Sequence, residues 1–138
     1  MSEFEETLVL IKPDGVARQL TGEILRRIEA KGYEIVDLQM LTASRDTLDA
    51  HYEEHQGKPF FEPLVEFMQS GPIVAVRVAG NGVIAGFRSL AGATDPTHAA
   101  PGTIRGDLGR DWGLPVQQNL VHGSDSPESA ARELALWF

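Results

Sequence analysis

Residues 119–128 read Asn119-Leu120-Val121-His122-Gly123-Ser124-Asp125-Ser126-Pro127-Glu128. The apolar run that leads to the histidine predicts the last strand of the chain, over 116–121. Ser126, Pro127 and Glu128 are the cap residue, first-turn proline and acid that begin a helix, so the last helix is predicted over 126–138. An imidazole between a strand and a helix N-terminus is well placed to meet an anionic substrate.

Three more strands are predicted upstream of this stretch. Two are short apolar runs, over 7–11 and 73–79, and one alternates between apolar and polar residues, over 33–41. In the alternating run, Val36, Leu38 and Met40 are expected to share one face, which makes a half-buried strand. Apolar residues three and four apart predict helices between the strands, one over about 61–69 and the others with caps or ends at Gly32, Ser44, Asn81 and Gly92.

A loop rich in glycine and proline precedes the last strand. Five glycines and three prolines fall between Gly92 and Val116, and no apolar period is found there. A loop of that length in a compact domain is usually functional. The elements follow the order βαββαβ with additions, which predicts an α+β fold with a four-stranded, largely antiparallel sheet covered by helices.

Composition limits the possible functions. The 138 residues are most simply one domain, 1–138, with ordinary proportions of hydrophobic (42%) and charged (23%) residues. The chain has no cysteine, and no segment has the pattern of a signal peptide or a membrane span, so a cytoplasmic protein is expected. The formal charge of −8 disfavours nucleic acid and anionic membrane as partners, although a small anion can bind where cations gather.

His122 is the first candidate for chemistry. A neutral imidazole is a nucleophile near neutral pH and can carry a phosphoryl group between two successive displacements. Glu133, on the predicted last helix, is a candidate to bind the second ring nitrogen and so fix the tautomer. The alternative, a structural histidine held by hydrogen bonds, is the more common situation for a lone histidine.

Cations and a hydroxyl elsewhere in the chain are candidates to bind phosphate. They are Lys12, Arg88, Thr94 and Arg105. Each has an alternative: Lys12 can be a solvated lysine, and Arg105 can pair with Asp107. Phe60 follows a turn and can stack on a base, or it can lie in the core together with Phe61.

The other histidines and two absent motifs narrow the choice. His51, His55 and His98 are predicted to lie on the surface, and the first two lack the acidic partner of a zinc protease motif. Neither a G-x-x-x-x-G-K-[ST] loop nor a G-x-G-x-x-G run is present, so nucleotide binding by those routes is not supported. There is no serine or cysteine nucleophile elbow either.

Motifs along nearly the whole chain resemble, in order, those of the nucleoside diphosphate kinase family. They are Thr7-Leu8-Val9-Leu10-Ile11-Lys12-Pro13-Asp14-Gly15-Val16, His51-Tyr52, Lys58-Pro59-Phe60-Phe61, Ser70-Gly71-Pro72, Gly92-Ala93-Thr94-Asp95-Pro96, Pro101-Gly102-Thr103-Ile104-Arg105-Gly106-Asp107 and Asn119-Leu120-Val121-His122-Gly123-Ser124-Asp125-Ser126. With these motifs in place, the structural alternative for His122 becomes the weaker one.

The resemblance implies a ferredoxin-like core and an enzyme, a nucleoside-diphosphate kinase. Such a kinase moves the γ-phosphate of a nucleoside triphosphate to a nucleoside diphosphate, by a ping-pong reaction through phosphorylated His122, and maintains the NTP and dNTP pools. Mg²⁺ would be bound by the nucleotide phosphates and not by protein side chains. The other residues implied are Lys12, Arg88, Thr94 and Arg105 on the phosphates, Asn119 on the ribose, Phe60 on the base, Tyr52 beside Lys12 and the histidine, and Glu133, Ser124 and Gly123 around the imidazole.

Two features depart from the family pattern. The segment 108–118 is a few residues longer than usual, and the chain ends at Trp137-Phe138, before the C-terminal extension of many relatives. Both lie where relatives make subunit contacts; the resemblance implies a homo-oligomer, with a hexamer expected, a tetramer second and a shared dimer within either. Two other classes remain as alternatives, a non-catalytic nucleotide-binding module and a generic domain that binds some other small anion.

Overall fold

The computed structural model describes residues 3–138, which form a four-stranded antiparallel sheet with helices packed on it. The strands are β1 (Phe4–Ile11), β2 (Glu34–Leu41), β3 (Ile73–Asn81) and β4 (Val121–Gly123), in the spatial order β2-β3-β1-β4. The α-helices are α1 (Pro13–Ala17), α2 (Thr21–Ala30), α3 (Arg45–His51), α4 (Phe61–Met68), α5 (Val83–Ala91), α6 (Ile104–Leu108) and α7 (Pro127–Trp137), and a 3-10 turn (Glu53–His55) follows α3. The predicted α+β class and antiparallel sheet are confirmed.

The centre of the sheet is formed by β1 and β3 because both of their faces are apolar. On one face, Val76 and its alternate neighbours in β3 pack with α2 and α5. On the other face, Leu8 and Leu10 of β1 pack with α3, α4 and α7. This arrangement places two cores on the two faces of one sheet, and the candidate site lies at the edge where β1 meets β4.

The edge strand β2 is exposed, so the prediction of a half-buried strand is wrong for the single chain. Its central apolar side chains are about half exposed: Val36 (47%), Leu38 (45%) and Met40 (59%). A bulge between Ile35 and Asp37 shifts the pairing of β2 with β3. The helices that cover β1 and β3 shield Ile35 and Leu41 near the two ends of the strand, but they do not reach the residues between them.

The last strand, β4, is shorter than the predicted strand over 116–121. Its pairing with β1 begins at Val121, opposite Ile11, and ends at Gly123. Leu120 has a φ of +73°, a left-handed conformation that breaks an extended strand. His122 therefore lies within the strand, opposite Leu10, and not at its end.

Two one-turn helices lie where the sequence predicts a break and a structureless loop. Helix α1 has Pro13 at its first position, directly after β1. Helix α6 lies in the glycine- and proline-rich loop and is capped by Thr103, whose Oγ1 accepts a hydrogen bond from the Gly106 N–H. A single turn is too short to show an apolar period, which is why neither was predicted. Within residues 3–138, no helix has the length and apolar character needed to cross a bilayer.

Two of the three predicted helix caps are present. Ser44 and Ser126 each accept a hydrogen bond from a backbone N–H in the first turn of α3 and α7. The prediction that Asn81 caps α5 is wrong, because Asn81 is the last residue of β3 and Gly82, with a φ of +65°, precedes the helix. The carboxylate of Glu5 accepts a hydrogen bond from the first turn instead, and a partner so distant in sequence leaves no local signal.

Candidate active site

The local geometry of β4 decides where His122 points. Successive side chains of a strand alternate between its two faces, and Val121 belongs to the core formed with α2 and α5. His122 therefore points to the opposite face, which α3 and α7 cover. The ring is about one-fifth exposed (20%), so it is held by neighbours on most sides and still accessible on one.

Glu133 of α7 binds the ring of His122. The distance between His122 Nε2 and Glu133 Oε1 is 2.8 Å, and the same oxygen accepts a hydrogen bond of 2.7 Å from Ser124 Oγ. Burial alone would raise the pKa of Glu133, but its hydrogen bond and charge interaction with His122 and the Ser124 hydroxyl outweigh burial and hold the pKa below its usual value. Because an ionised carboxylate only accepts hydrogen bonds, Nε2 of His122 carries the proton and Nδ1 keeps its lone pair free.

His51 is buried beside this pair, so the prediction that it lies on the surface is wrong. It is 6% exposed, and its ring centroid is 4.7 Å from that of His122 in an edge-to-face arrangement. The indole N–H of Trp137 donates to its Nδ1 over 3.0 Å. Burial, and to a smaller extent the neighbouring His122, lowers the pKa of His51 to about 3, which keeps the ring neutral at physiological pH. Its position three residues after the buried Leu48 on α3 was a usable sequence signal.

The three groups lie close enough to hold a metal ion. One donor atom each of His51, His122 and Glu133 lies within 4.8 Å of the others. The hydrogen bonds argue for a different role. Because the Trp137 N–H can only donate, Nδ1 of His51 is unprotonated and Nε2 carries the proton. A metal ion bound through either nitrogen of His51 would break the bond to Trp137, so we assign the three groups to hydrogen bonding.

A pocket next to His122 brings together five of the residues that the family motifs single out. Four of them, Lys12, Arg88, Thr94 and Arg105, are the expected phosphate ligands, and Asn119 is the expected ribose contact. Two hydrogen bonds link members of the set: Lys12 Nζ donates to Asn119 Oδ1 over 2.9 Å, and Asn119 Nδ2 donates to the Thr94 carbonyl over 3.0 Å. Residues that are far apart in the chain thus form one concave, polar surface against the candidate nucleophile.

Arg105 of α6 is tied to the backbone around the pocket. Its guanidinium donates to the carbonyls of Asn119, Val121 and Gly92 over 3.1, 2.7 and 2.9 Å. The alternative pairing with Asp107 is not formed, because Asp107 binds Arg27. A guanidinium has five N–H donors, so two remain for a ligand.

Arg88 lies beside the histidine because helix α5 packs closely against β4. A Cβ atom at Gly123 would lie 2.6 Å from a ring carbon of Phe87, so a glycine here allows α5 to approach β4. Arg88, the next residue on that helix, donates to the Gly123 carbonyl over 3.2 Å. The side chain of Arg88 is otherwise exposed toward the pocket that it lines.

The cations of the pocket lack anionic partners. Within residues 3–138, Lys12, Arg88 and Arg105 form no ion pair, whereas four other arginines bind carboxylates at 2.6–2.9 Å. Burial, followed by the charge of Arg105, lowers the pKa of Lys12 to about 8. Burial, followed by the charge of Arg88, lowers the pKa of Arg105 to about 10. The cations therefore disfavour one another's charged forms, and a bound polyanion would relieve that repulsion.

The aromatic candidates separate into buried and exposed rings. Phe61 is in the core (6% exposed), whereas Phe60 is 48% exposed and packs against His55 at a centroid distance of 5.1 Å. Tyr52 contacts His51 edge to face at 4.6 Å, and burial raises the pKa of its hydroxyl. Within residues 3–138 its hydroxyl forms no hydrogen bond with the two partners that the resemblance implies. Of the remaining histidines, His98 is exposed as predicted and His55 is half-buried.

The fold and the site together define a class of protein, an α+β domain with a pocket of cations beside a histidine held by a carboxylate. Comparison with known families narrows this class to one family, since the family model for nucleoside diphosphate kinase matches residues 5–138. A nucleoside diphosphate kinase of Mycolicibacterium gilvum (strain PYR-GCK) is 64% identical over 135 residues, which cover 97% of this chain and 96% of the relative. One from Rubrobacter xylanophilus is 61% identical and covers 98% of both chains.

Solved structures agree with the family match. The crystal structure of a nucleoside diphosphate kinase family protein from Babesia bovis superposes with a TM-score of 0.90 at 44% identity, over 97% of this chain and 88% of that one. The chain belongs to the nucleoside diphosphate kinase family. It is a phosphotransferase that moves the γ-phosphate of a nucleoside triphosphate to a nucleoside diphosphate.

Proposed function

We propose that His122 is the residue that carries the phosphoryl group between the two nucleotides. The observation that supports this role most directly is the 2.8 Å bond between Nε2 and Glu133, because it leaves Nδ1 unprotonated. His51 cannot take this role, since its Nδ1 is bound to Trp137 and its ring is buried. Glu133, with Ser124 behind it, would orient the imidazole and stabilise the positive charge that develops on it during attack.

In the first half-reaction, Nδ1 of His122 attacks the γ-phosphorus. The N–P bond forms while the bond from phosphorus to the β–γ bridging oxygen breaks, and the nucleoside diphosphate leaves with that electron pair. The Nε2 proton stays against Glu133 throughout, so no proton has to be lost. In the second half-reaction a different nucleoside diphosphate attacks the phosphohistidine and the same bonds are exchanged in reverse, which makes the reaction ping-pong.

The pocket beside His122 would bind the nucleotide. Lys12, Arg88, Thr94 and Arg105 would contact the phosphates, since they line one surface and its cations form no ion pair with another described residue. The side-chain amide of Asn119 has one N–H and one lone pair left after its two internal bonds, which suits a ribose hydroxyl. The exposed ring of Phe60 would stack on the base, and a π-face accepts any base. Tyr52 would support this wall of the site.

Magnesium fits this pocket as an ion bound by the nucleotide. No carboxylate lines the pocket that Lys12, Arg88 and Arg105 form, so the described side chains offer no oxygen cage for the ion. When bound to the nucleotide, Mg²⁺ neutralises phosphate charge. The lining cations hold the remaining phosphate oxygens toward Nδ1.

The protein is further proposed to act as a cytoplasmic homo-oligomer, as a hexamer first and a tetramer second, with a shared dimer. The half-exposed apolar side chains of β2 support the shared dimer, because an exposed edge strand with an apolar face is a surface that other chains can cover. Sedimentation of the wild type should give six subunits. Leu38→Glu should reduce the mass, and Ser89→Glu, a charge at an exposed position of α5, should not. An unchanged mass for Leu38→Glu would remove β2 from the contact.

The direct test of the proposed carrier is phosphoenzyme formation from γ-labelled ATP. Wild type should give an acid-labile, base-stable adduct, and His122→Ala should give none, while His51→Gln should retain it. Label that persists in His122→Ala would exclude His122 as the carrier. Competition binding distinguishes the generic anion-binding alternative, because equal displacement by free phosphate and by nucleotide would favour that alternative.

A further inference from the structure

The backbone at Leu120 is in a conformation that non-glycine residues avoid. Its φ is +73°, and the side chain is fully buried. A left-handed residue of this type is unfavourable by itself and persists where its surroundings determine it. Asn119 precedes it and His122 follows two residues later, so the strained residue lies inside the candidate site.

The left-handed turn has a definable consequence for side-chain directions. In an unbroken strand, Leu120 and Val121 would point to opposite faces of the sheet. Both belong to the same core cluster, which packs with α2 and α5. The turn thus places Leu120 in that core and frees Asn119 to face the phosphate pocket, where it accepts the hydrogen bond from Lys12.

The backbone groups of Leu120 are bound by the segment that follows β1. Its N–H donates to Oδ2 of Asp14 over 3.1 Å, and its carbonyl accepts from the Lys12 N–H over 2.8 Å. Asp14 is 106 residues away in sequence and is buried (7% exposed). Gly15 lets the segment come this close, since a Cβ atom there would lie 3.2 Å from the Leu120 carbonyl oxygen.

We infer that Asp14 is a positioning residue, whose carboxylate holds Leu120 in the left-handed turn and thereby sets Asn119 and His122 relative to Lys12. The inference rests on the proposed roles of those three residues. It also explains why a carboxylate is buried at this position although burial of a charge is unfavourable. Asp14 has no ion pair in the described chain, and its Oδ1 is buried without a hydrogen bond. The same charge lies near Lys12 and acts against the burial that lowers the pKa of Lys12.

The hydrogen bond of Asp14 to Leu120 and its negative charge near Lys12 can be separated by substitution. Asp14→Asn keeps an oxygen that accepts from Leu120 N–H but removes the charge, whereas Asp14→Ala removes both. Asp46→Ala is the matched control, since Asp46 is likewise the second residue of its helix, α3, but is exposed and does not contact Leu120. The measurements are hydrogen exchange of the Leu120 amide, the rate of phosphoenzyme formation from ATP, and the pH profile of that rate.

In Asp14→Ala, the Leu120 amide should exchange roughly tenfold faster, which corresponds to the loss of one hydrogen bond. Phosphoenzyme formation should slow by about 100-fold, because small displacements of reacting groups carry penalties of that size. Asp14→Asn should keep the amide protected and lose less than about tenfold in rate at pH 6.5. Its activity should decline at a lower pH than in wild type, since Lys12 without the nearby negative charge loses its proton more easily. Asp46→Ala should match wild type in all three measurements.

Unchanged protection of the Leu120 amide in Asp14→Ala would overturn the inference, as would equal rate losses for the two Asp14 variants at pH 6.5. If the alanine variant does not fold, Asp14→Asn decides: a protected amide with a shifted pH profile supports the inference, and an unprotected amide refutes it. Amide exchange does not depend on turnover. A wild type that forms no phosphohistidine would therefore contradict the proposed carrier, while the exchange result would still test the role of Asp14.

Discussion

On one side of His122, hydrogen bonds within the protein hold the ring, and on the other side lie cations without an anionic partner. The paired side consists of Glu133, Ser124, His51 and Trp137, whose hydrogen bonds orient the two imidazole rings. The other side holds Lys12, Arg88 and Arg105, which form no ion pair within residues 3–138. Rigid support behind a nucleophile and unneutralised charge in front of it are the two requirements of phosphoryl transfer. The hydrogen-bonded groups therefore set the orientation of the His122 ring, and the cations supply the binding of the anion.

The largest effect is expected for Arg105, because its guanidinium lines the cation pocket and also donates to three backbone carbonyls. Arg105→Ala should lower kcat/KM by about 10³-fold through the lost phosphate contact. It should also destabilise the fold by about 2 kcal/mol, since it removes three hydrogen bonds to the carbonyls of Asn119, Val121 and Gly92. Steady-state kinetics and urea unfolding measure the two effects.

Arg88→Ala is the matched control for this variant. Arg88 donates to one carbonyl and is exposed, so its removal should reduce activity and change the free energy of unfolding by less than about 1 kcal/mol. Equal stability losses in the two variants would show that Arg105 does not hold the backbone around the pocket.

The next largest effect tests the paired side. Glu133→Gln should slow phosphoenzyme formation by about 100-fold, because an amide can donate to Nε2 and so favour the wrong tautomer of His122. Single-turnover kinetics with labelled ATP would measure it. Ser124→Ala retains the bond between Glu133 and His122 and should cost less than about tenfold. If the serine variant were the slower one, Glu133 would not be the group that orients the ring.

A smaller effect follows from the pKa of Lys12, which burial lowers to about 8. As pH rises through that value Lys12 loses its charge, so kcat/KM should decrease by about tenfold per pH unit above 8. Stability should change in the opposite direction. The unfolded chain keeps the proton up to the ordinary lysine pKa of 10.5, so the contribution of Lys12 to stability should increase between pH 8 and 10.5.

Lys12→Met provides the control for both trends. Its stability should lack the pH-dependent increase, and its activity should be low at every pH. A wild-type kcat/KM that stays constant up to pH 10 would show that Lys12 is charged throughout and that its burial has no consequence for binding.

The smallest effect on activity is expected for Trp137→Phe. The variant leaves Nδ1 of the buried His51 without a donor, which should destabilise the fold by about 1–3 kcal/mol. Activity should change by less than about tenfold, since the bond between Glu133 and His122 remains. Thermal unfolding and steady-state kinetics provide both values. A 100-fold loss of activity would instead assign the tautomer of His51 a direct part in catalysis.

The sequence was sufficient to predict elements and contacts formed by residues that are close together in the chain. The strand at β3, the helix α7 with its Ser126 cap, and the pairing of His122 with Glu133 were all predicted. His122 and Glu133 lie 11 residues apart across one strand and one helix, so pattern and spacing alone brought them together. The family motifs singled out further side chains, and the structure brings Lys12, Arg88, Thr94, Arg105 and Asn119 together in one pocket, which Phe60 and Tyr52 do not line.

Tertiary structure decided those features that depend on a contact with a residue or an element far away in the sequence. The alternation in β2 predicted a buried face, but strand order placed β2 at the edge, beyond the reach of the helices. The sequence pattern predicts a surface position for His51, but α7 places Trp137 against its ring and buries it.

The amino-acid sequence by itself determined the βαββαβ order of a sheet covered by helices, and its family motifs singled out His122. It did so because apolar periods and helix caps are physical requirements of each element taken alone. Only the folded chain decided how that histidine is held. The left-handed turn at Leu120 is held by Asp14, 106 residues earlier, and a contact so distant in sequence leaves no local signal.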